Sequence, residues 1–130
     1  MPKIAWSEDL SVKIARFDNE HKKLIDMLNK LNEAMSQGQG QALLSGILVD
    51  LATYTKTHFK HEEEAMEKCK YHGYVEHKRQ HTDFIQKIQE MHEDFKSGKT
   101  SITIQVFNFL NSWVQNHIKT IDKKYSEYLQ

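Results

Sequence analysis

The stretch HFKHEEE (58–64) closes the run LLSGILVDLATYTKT (43–57), whose apolar residues recur at helical spacing. Leu44, Leu48, Leu51 and Thr55 fall on one stripe, and the same stripe continues into His58 and Glu62. Steps of three and four residues mark one face of a helix, the face that turns toward a core. This helix therefore aims an imidazole and a carboxylate inward. Burying an unpaired carboxylate costs several kcal/mol, so the stripe needs a partner that the helix itself does not supply.

Working outward, the glycines divide the rest of the chain. They fall in SQGQG (36–40), KYHG (70–73) and KSGKT (96–100), with Gly46 alone inside a helical pattern. These breaks predict helices over about 18–37, 41–69, 74–95 and 102–129, preceded by an irregular arm over about 1–17. The first carries Leu24, Ile25, Leu28, Leu31 and Met35 on one face, with Asp18 as its expected N-cap. The third lines up His77, His81, Phe84, Ile88 and Met91, and the fourth Val106, Leu110, Trp113, His117, Ile121 and Tyr125. Four amphipathic helices with short connections predict an all-α fold: an up-down-up-down four-helix bundle forming one domain over residues 1–130. The arm, with Ile4, Trp6, Val12, Ile14 and Phe17, is expected to pack along the outside of the bundle.

Composition limits the partners. The chain has 18 basic and 18 acidic residues and no net formal charge, which gives no electrostatic case for nucleic acid or an anionic membrane. No segment reaches the roughly 20 apolar residues of a membrane span. The first ten residues, MPKIAWSEDL, lack the apolar stretch of a signal peptide. The single cysteine, Cys69, excludes an internal disulfide and a cysteine-based zinc site. A cytoplasmic location is expected, and the charge balance permits a monomer.

Antiparallel neighbours bring the start of helix one, the end of two, the start of three and the end of four to the same end. His21, His58, Glu62, His77, His81, His117 and Asp122 then share a band about 5–18 Å below that end, at about 1.5 Å rise per residue. Each helix sends at least one metal-ligating side chain into that layer. His58/Glu62 and His77/His81 are four apart and can each reach one site. His117 and Asp122 are five apart, about 140° around an ideal helix; from the two margins of a wide apolar face they can flank a shared centre, and an i→i+5 turn would bring them closer. Seven such groups exceed the four that one zinc ion prefers and suit two cations, with iron, manganese or zinc compatible with imidazole and carboxylate. The Glu-x-x-His pairs of ferritin-like sites are absent, and HEEEA (61–65) fails the His-Glu-x-x-His pattern. His61, His72, His92, Glu63 and Glu64 read as surface groups.

The motifs IARFDNEHKKLI (14–25), HFKHEE (58–63), HKRQH (77–81) and HIKTID (117–122) resemble the hemerythrins, in particular the single-domain bacterial ones. The resemblance covers nearly the whole chain, and no ligand position is missing. It implies two iron ions with a bridging oxo or hydroxo group. His77, His81 and His117 would hold one ion, His21 and His58 the other, and Glu62 and Asp122 would bridge both. It implies O2 as the ligand, bound reversibly for carriage, storage or delivery to an oxygen-consuming enzyme, and no enzymatic activity of its own. A stand-alone oxygen or redox sensor, a di-iron oxidase or peroxidase, and iron buffering are the alternatives on the same scaffold. Leu24, Ile25, Phe59, Trp113, Val114 and Ile118, each adjacent to a ligand or about one turn away, are the expected apolar walls of the O2 pocket.

Overall fold

In α1 (Ala15–Ser36), Phe17, His21, Leu24, Ile25, Leu28 and Leu31 are buried on one face, as the three-and-four spacing dictates. The same periodicity builds α2 (Gln41–Lys68) and α3 (Tyr74–Lys96). The fourth rod is continuous but not uniform. Its first part, α4 (Ile104–Asn116), passes into a π-helical turn over His117–Asp122 and resumes α geometry in α5 (Lys123–Leu129). The computed structural model describes residues 4–38, 41–98 and 104–129. The expected fourth-helix start at Ile102, and Gly40 of the first loop, lie outside them.

The rods pack as an all-α, up-down-up-down four-helix bundle. His21 near the start of α1 meets Glu62 near the end of α2 at 3.2 Å, and His77 near the start of α3 meets Asp122 near the end of the fourth rod at 2.9 Å. Gly38 (φ 69°) and Gly98 (φ 80°) end α1 and α3 in the left-handed conformation that favours glycine. The end of α2 departs from expectation. Lys70, not a glycine, takes the left-handed position at φ 56°, and Tyr71 N–H reaches back to the Met66 carbonyl at 2.9 Å. Gly73 instead precedes α3, where the Tyr71 ring lies so close that a Cβ would stand 2.8 Å from it. No described helix is long and apolar enough to cross a membrane.

One expectation for the N-terminal region is corrected. Asp18 is not the N-cap: α1 begins three residues earlier, at Ala15, and Asp18 sits in its first turn. Its carboxylate accepts from the Val12 N–H at 2.8 Å and the Ser11 hydroxyl at 2.6 Å. A negative group there suits the positive end of the helix, and it folds the arm back onto α1. The arm packs against the helices: Val12 is buried, Ser126 Oγ–H donates to the Val12 carbonyl at 2.6 Å, and Ile4 pairs through both backbone polar groups with the Asn29 amide.

The buried apolar residues form two clusters. The larger contains Leu24, Leu28, Leu48, Leu51, Phe59, Phe84, Leu110, Val114 and Ile118. The smaller, at the end of the bundle, contains Val12, Phe17, Met66, Tyr71 and Tyr125. In each rod the inward-facing histidines and carboxylates lie between a residue of one cluster and a residue of the other: Phe17, His21, Leu24 in α1, and Phe84, His81, His77, Tyr74 in α3. The polar layer is thus sealed above and below. Leu28 is fully buried, and its replacement by alanine is expected to cost about 2–5 kcal/mol.

Candidate metal centre

All seven inward-facing polar residues named from the sequence are brought together, each no more than 4 % exposed. Their ligating atoms form two groups, His77, His81, His117 and Asp122 in one and His21, His58, Glu62 and Asp122 in the other, with the atoms of each within 4.8 Å of one another. Of the two arrangements open to His117 and Asp122, the structure has the widened one, a π-helical turn over His117–Asp122. It sets His117 Nε2 3.0 Å from Asp122 Oδ1.

The carboxylates span the two groups. Asp122 Oδ1 lies 2.9 Å from His77 Nε2, while its Oδ2 lies 3.1 Å from His21 Nε2. Glu62 Oε2 lies 3.2 Å from His21 Nε2, and its Oε1 stands 3.4 Å from both His58 and His81. The Tyr125 hydroxyl donates to Glu62 Oε2.

The donor set fits cations better than it fits itself. His117 Nε2 faces both His77 Nε2 and His81 Nε2 at 3.1 Å. His81 Nδ1–H is committed to Glu63 Oε2 at 2.9 Å, so the neutral ring presents a bare lone pair at Nε2. One proton on His117 cannot serve both neighbours well. A cation would take the lone pairs of His77, His81 and His117 together, which no arrangement of their protons can do. His58 Nε2 and Glu62 Oε1 are buried with no partner nearer than 3.4 Å, a costly arrangement unless a cation completes it.

The electrostatics of the two groups differ. Burial opposes charge on His58, but Glu62 and then Glu20 overcome it and push its pKa up to about 10. His21 is raised in the same way: burial is outweighed by Asp122 and Glu62. His81 is lowered, by burial first and then by repulsion from His77 and His117, against the pull of Glu63 and Glu62. Burial resists ionisation of Asp122, yet His117, His21 and His77 hold its pKa well below the usual carboxylate range.

Aromatic rings close around the layer. Phe59 stacks on His81 with 3.7 Å between centroids and 3° between planes, and Trp113 stacks on His117 at 4.3 Å and 12°. Phe84 lies flat against the other face of Trp113 at 3.8 Å. Leu24, Ile25, Val114 and Ile118 belong to the larger cluster. Phe59 and Trp113 thus press on the three-histidine group. Beside His58 stands Phe17, edge-on at 6.2 Å, a residue read from the sequence only as part of the arm. A surface groove of about 400 Å³ between α2 and α3 ends on Phe59 and His81.

Two residues read as surface groups are corrected. Glu63 is 20 % exposed and holds His81, and His61 is 29 % exposed with its Nδ1 bonded to Glu20 Oε2 at 2.7 Å. The two flank Glu62 on opposite sides of α2, and α1 partly covers His61 while α3 partly covers Glu63. Glu20 itself was missed; its only sequence signal is its place directly before His21. Tyr125 was legible as part of the apolar stripe, but not as a hydrogen-bond donor to Glu62.

The fold and the site together define a helical bundle with a buried, two-lobed histidine–carboxylate metal centre. The family model described as "Hemerythrin HHE cation binding domain" matches residues 12–129. The bacteriohemerythrin of Stenotrophomonas maltophilia is 32% identical over 130 residues, covering 100% of this chain and 84% of that protein. Myohemerythrin-1 of Phascolopsis gouldii is 32% identical over 92% of this chain and 89% of its own length. The solved structure titled "Crystal structure of hemerythrin:wild-type" superposes with a TM-score of 0.93 at 27% identity, covering 98% of both chains. The chain belongs to the hemerythrin family.

Proposed function

We propose that this protein binds O2 reversibly at a pair of iron ions, for carriage, storage or delivery to an oxygen-consuming enzyme. The observation that carries this reading is the unequal division of histidines, three against two, around Asp122, which belongs to both groups, with Glu62 Oε1 at 3.4 Å from both His58 and His81. His77, His81 and His117 would hold one ion and His21 and His58 the other, with Glu62 and Asp122 spanning both. The histidine-poor side keeps room for a small ligand. When bound, a ferrous pair supplies the two electrons that O2 accepts on binding and returns on release.

The chain's own contribution is exclusion and orientation. Phe59 and Trp113 cover the three-histidine side, and Leu24, Ile25, Val114 and Ile118 wall the layer with hydrocarbon. Dry walls keep out water and stray protons, which would trap the electrons on oxygen. Tyr125 steadies Glu62 through its hydroxyl, and Glu63 fixes the tautomer of His81.

The test is optical. Iron-loaded protein is reduced, exposed to air and then purged of oxygen through several cycles. A coloured form that appears and disappears with oxygen supports the reading. Prompt conversion to a ferric form with hydrogen peroxide release would replace it with an oxidase, and more than two irons per chain with storage.

A further inference from the structure

The residue Glu20 carries more bonds to α2 than any role on the surface of α1 requires. Its Oε1 accepts from His58 Nδ1–H at 2.6 Å, and its Oε2 accepts from His61 Nδ1–H at 2.7 Å. Its backbone carbonyl accepts from the Tyr54 hydroxyl at 3.2 Å. Tyr54, His58 and His61 lie at i, i+4 and i+7, one stripe of α2, and all three converge on this single residue of α1. Arg16 Nε adds a contact at 3.5 Å from within α1.

The consequence falls on one side of the centre. A carboxylate at Nδ1 fixes the N–H there and leaves the Nε2 lone pair facing the ligand layer. His58 is one of only two histidines in its group, and the other, His21, has a buried Nδ1 without a hydrogen bond. The two-histidine group therefore has one anchored imidazole, and Glu20 is its anchor. In the other group the corresponding anchor is Glu63 on His81. His61 is not a ligand. It occupies the second oxygen of Glu20 and stops the carboxylate from rotating away from His58.

We propose that Glu20, braced by His61, is the positioning residue that sets cation affinity at the His21/His58 side alone. This rests on reading the layer as a two-ion centre. Outer carboxylates on ligating histidines typically change metal affinity about 10- to 100-fold, so the effect should be large enough to separate the two ions.

The experiment is anaerobic titration of the metal-free full chain with Co(II), followed by its visible spectrum, with melting of the metal-free protein measured in parallel. The unsubstituted chain is expected to take two ions. Glu20→Gln is expected to take the first with unchanged affinity and the second about 10- to 100-fold more weakly. His61→Gln, which leaves Glu20 in place, is expected to weaken the same ion by a smaller factor and serves if Glu20→Gln does not fold. Glu63→Gln is expected to weaken the other ion. An unchanged second ion in Glu20→Gln, or equal weakening of both, would overturn the proposal. Equal weakening with a lowered apo melting temperature would make Glu20 a helix-to-helix staple only. Fewer than two ions in the unsubstituted chain would overturn the two-ion reading, and this inference with it.

Discussion

The two halves of the buried layer are built by different means. The half formed by His77, His81 and His117 adds stacked rings to its polar bonds: Phe59 and Trp113 lie flat on two of its three rings, Phe84 backs Trp113, and Glu63 bonds His81. The half formed by His21 and His58 is held by polar bonds, through Glu20 and the two spanning carboxylates. The same contrast appears in charge. In the metal-free chain the carboxylates pull His58 and His21 toward protonation, while burial and neighbouring rings hold His81 away from it. A rigid apolar clamp fixes ligand positions without adding charge. Hydrogen bonds from a ring N–H to a carboxylate orient the ring and also raise its donor strength. The comparison teaches that ligand count alone does not describe the asymmetry, because the support behind the ligands differs as well.

That comparison can be broken at several points. Asp122 gives one oxygen to each half, so Asp122→Ala should have the largest effect: loss of both ions, read as metal per chain. His117→Ala removes one ligand and the ring on which Trp113 stacks. It should lose the three-histidine ion, keep part of the other, and melt lower than the parent when both are metal-loaded, because metal binding contributes to folding stability. Equal iron content and equal melting in His117→Ala would remove His117 from the centre.

Trp113→Ala should keep both ions and lose about 3 kcal/mol or somewhat less of stability, since the ring is only partly buried. The colour of the O2-loaded protein should fade faster, and a rate equal to the parent's would end the shielding role. The smallest effect is expected at the far end of the bundle. There His92 Nε2 meets Ser45 Oγ at 3.2 Å, well away from the layer. His92→Ala should leave metal content unchanged and shift stability by about 1 kcal/mol or less.

Much of this was legible in the sequence because it rests on periodicity. The stripe from Leu44 to Glu62 gave α2 its buried face, and the five-residue gap between His117 and Asp122 left a widened turn as one of two ways to bring them to one site. What escaped depends on contacts between helices. Glu20 and Glu63 look like solvated charges in a chain rich in them, and only the packing of α1 on α2, and of α3 on α2, shows which imidazoles they meet. The arm escaped for a related reason. Its few apolar residues have no clear period, so nothing local shows that Val12 and Phe17 complete a second apolar cluster beneath the ligands. The Lys70 turn escaped because a left-handed lysine carries no composition signal.

The most direct test is anomalous diffraction at the iron edge from crystals of the iron-loaded protein. Two peaks are expected, one beside the Nε2 atoms of His77, His81 and His117 and one between His21 and His58, with Glu62 and Asp122 reaching both. A single peak, or none in protein shown to contain iron, would contradict the two-ion centre.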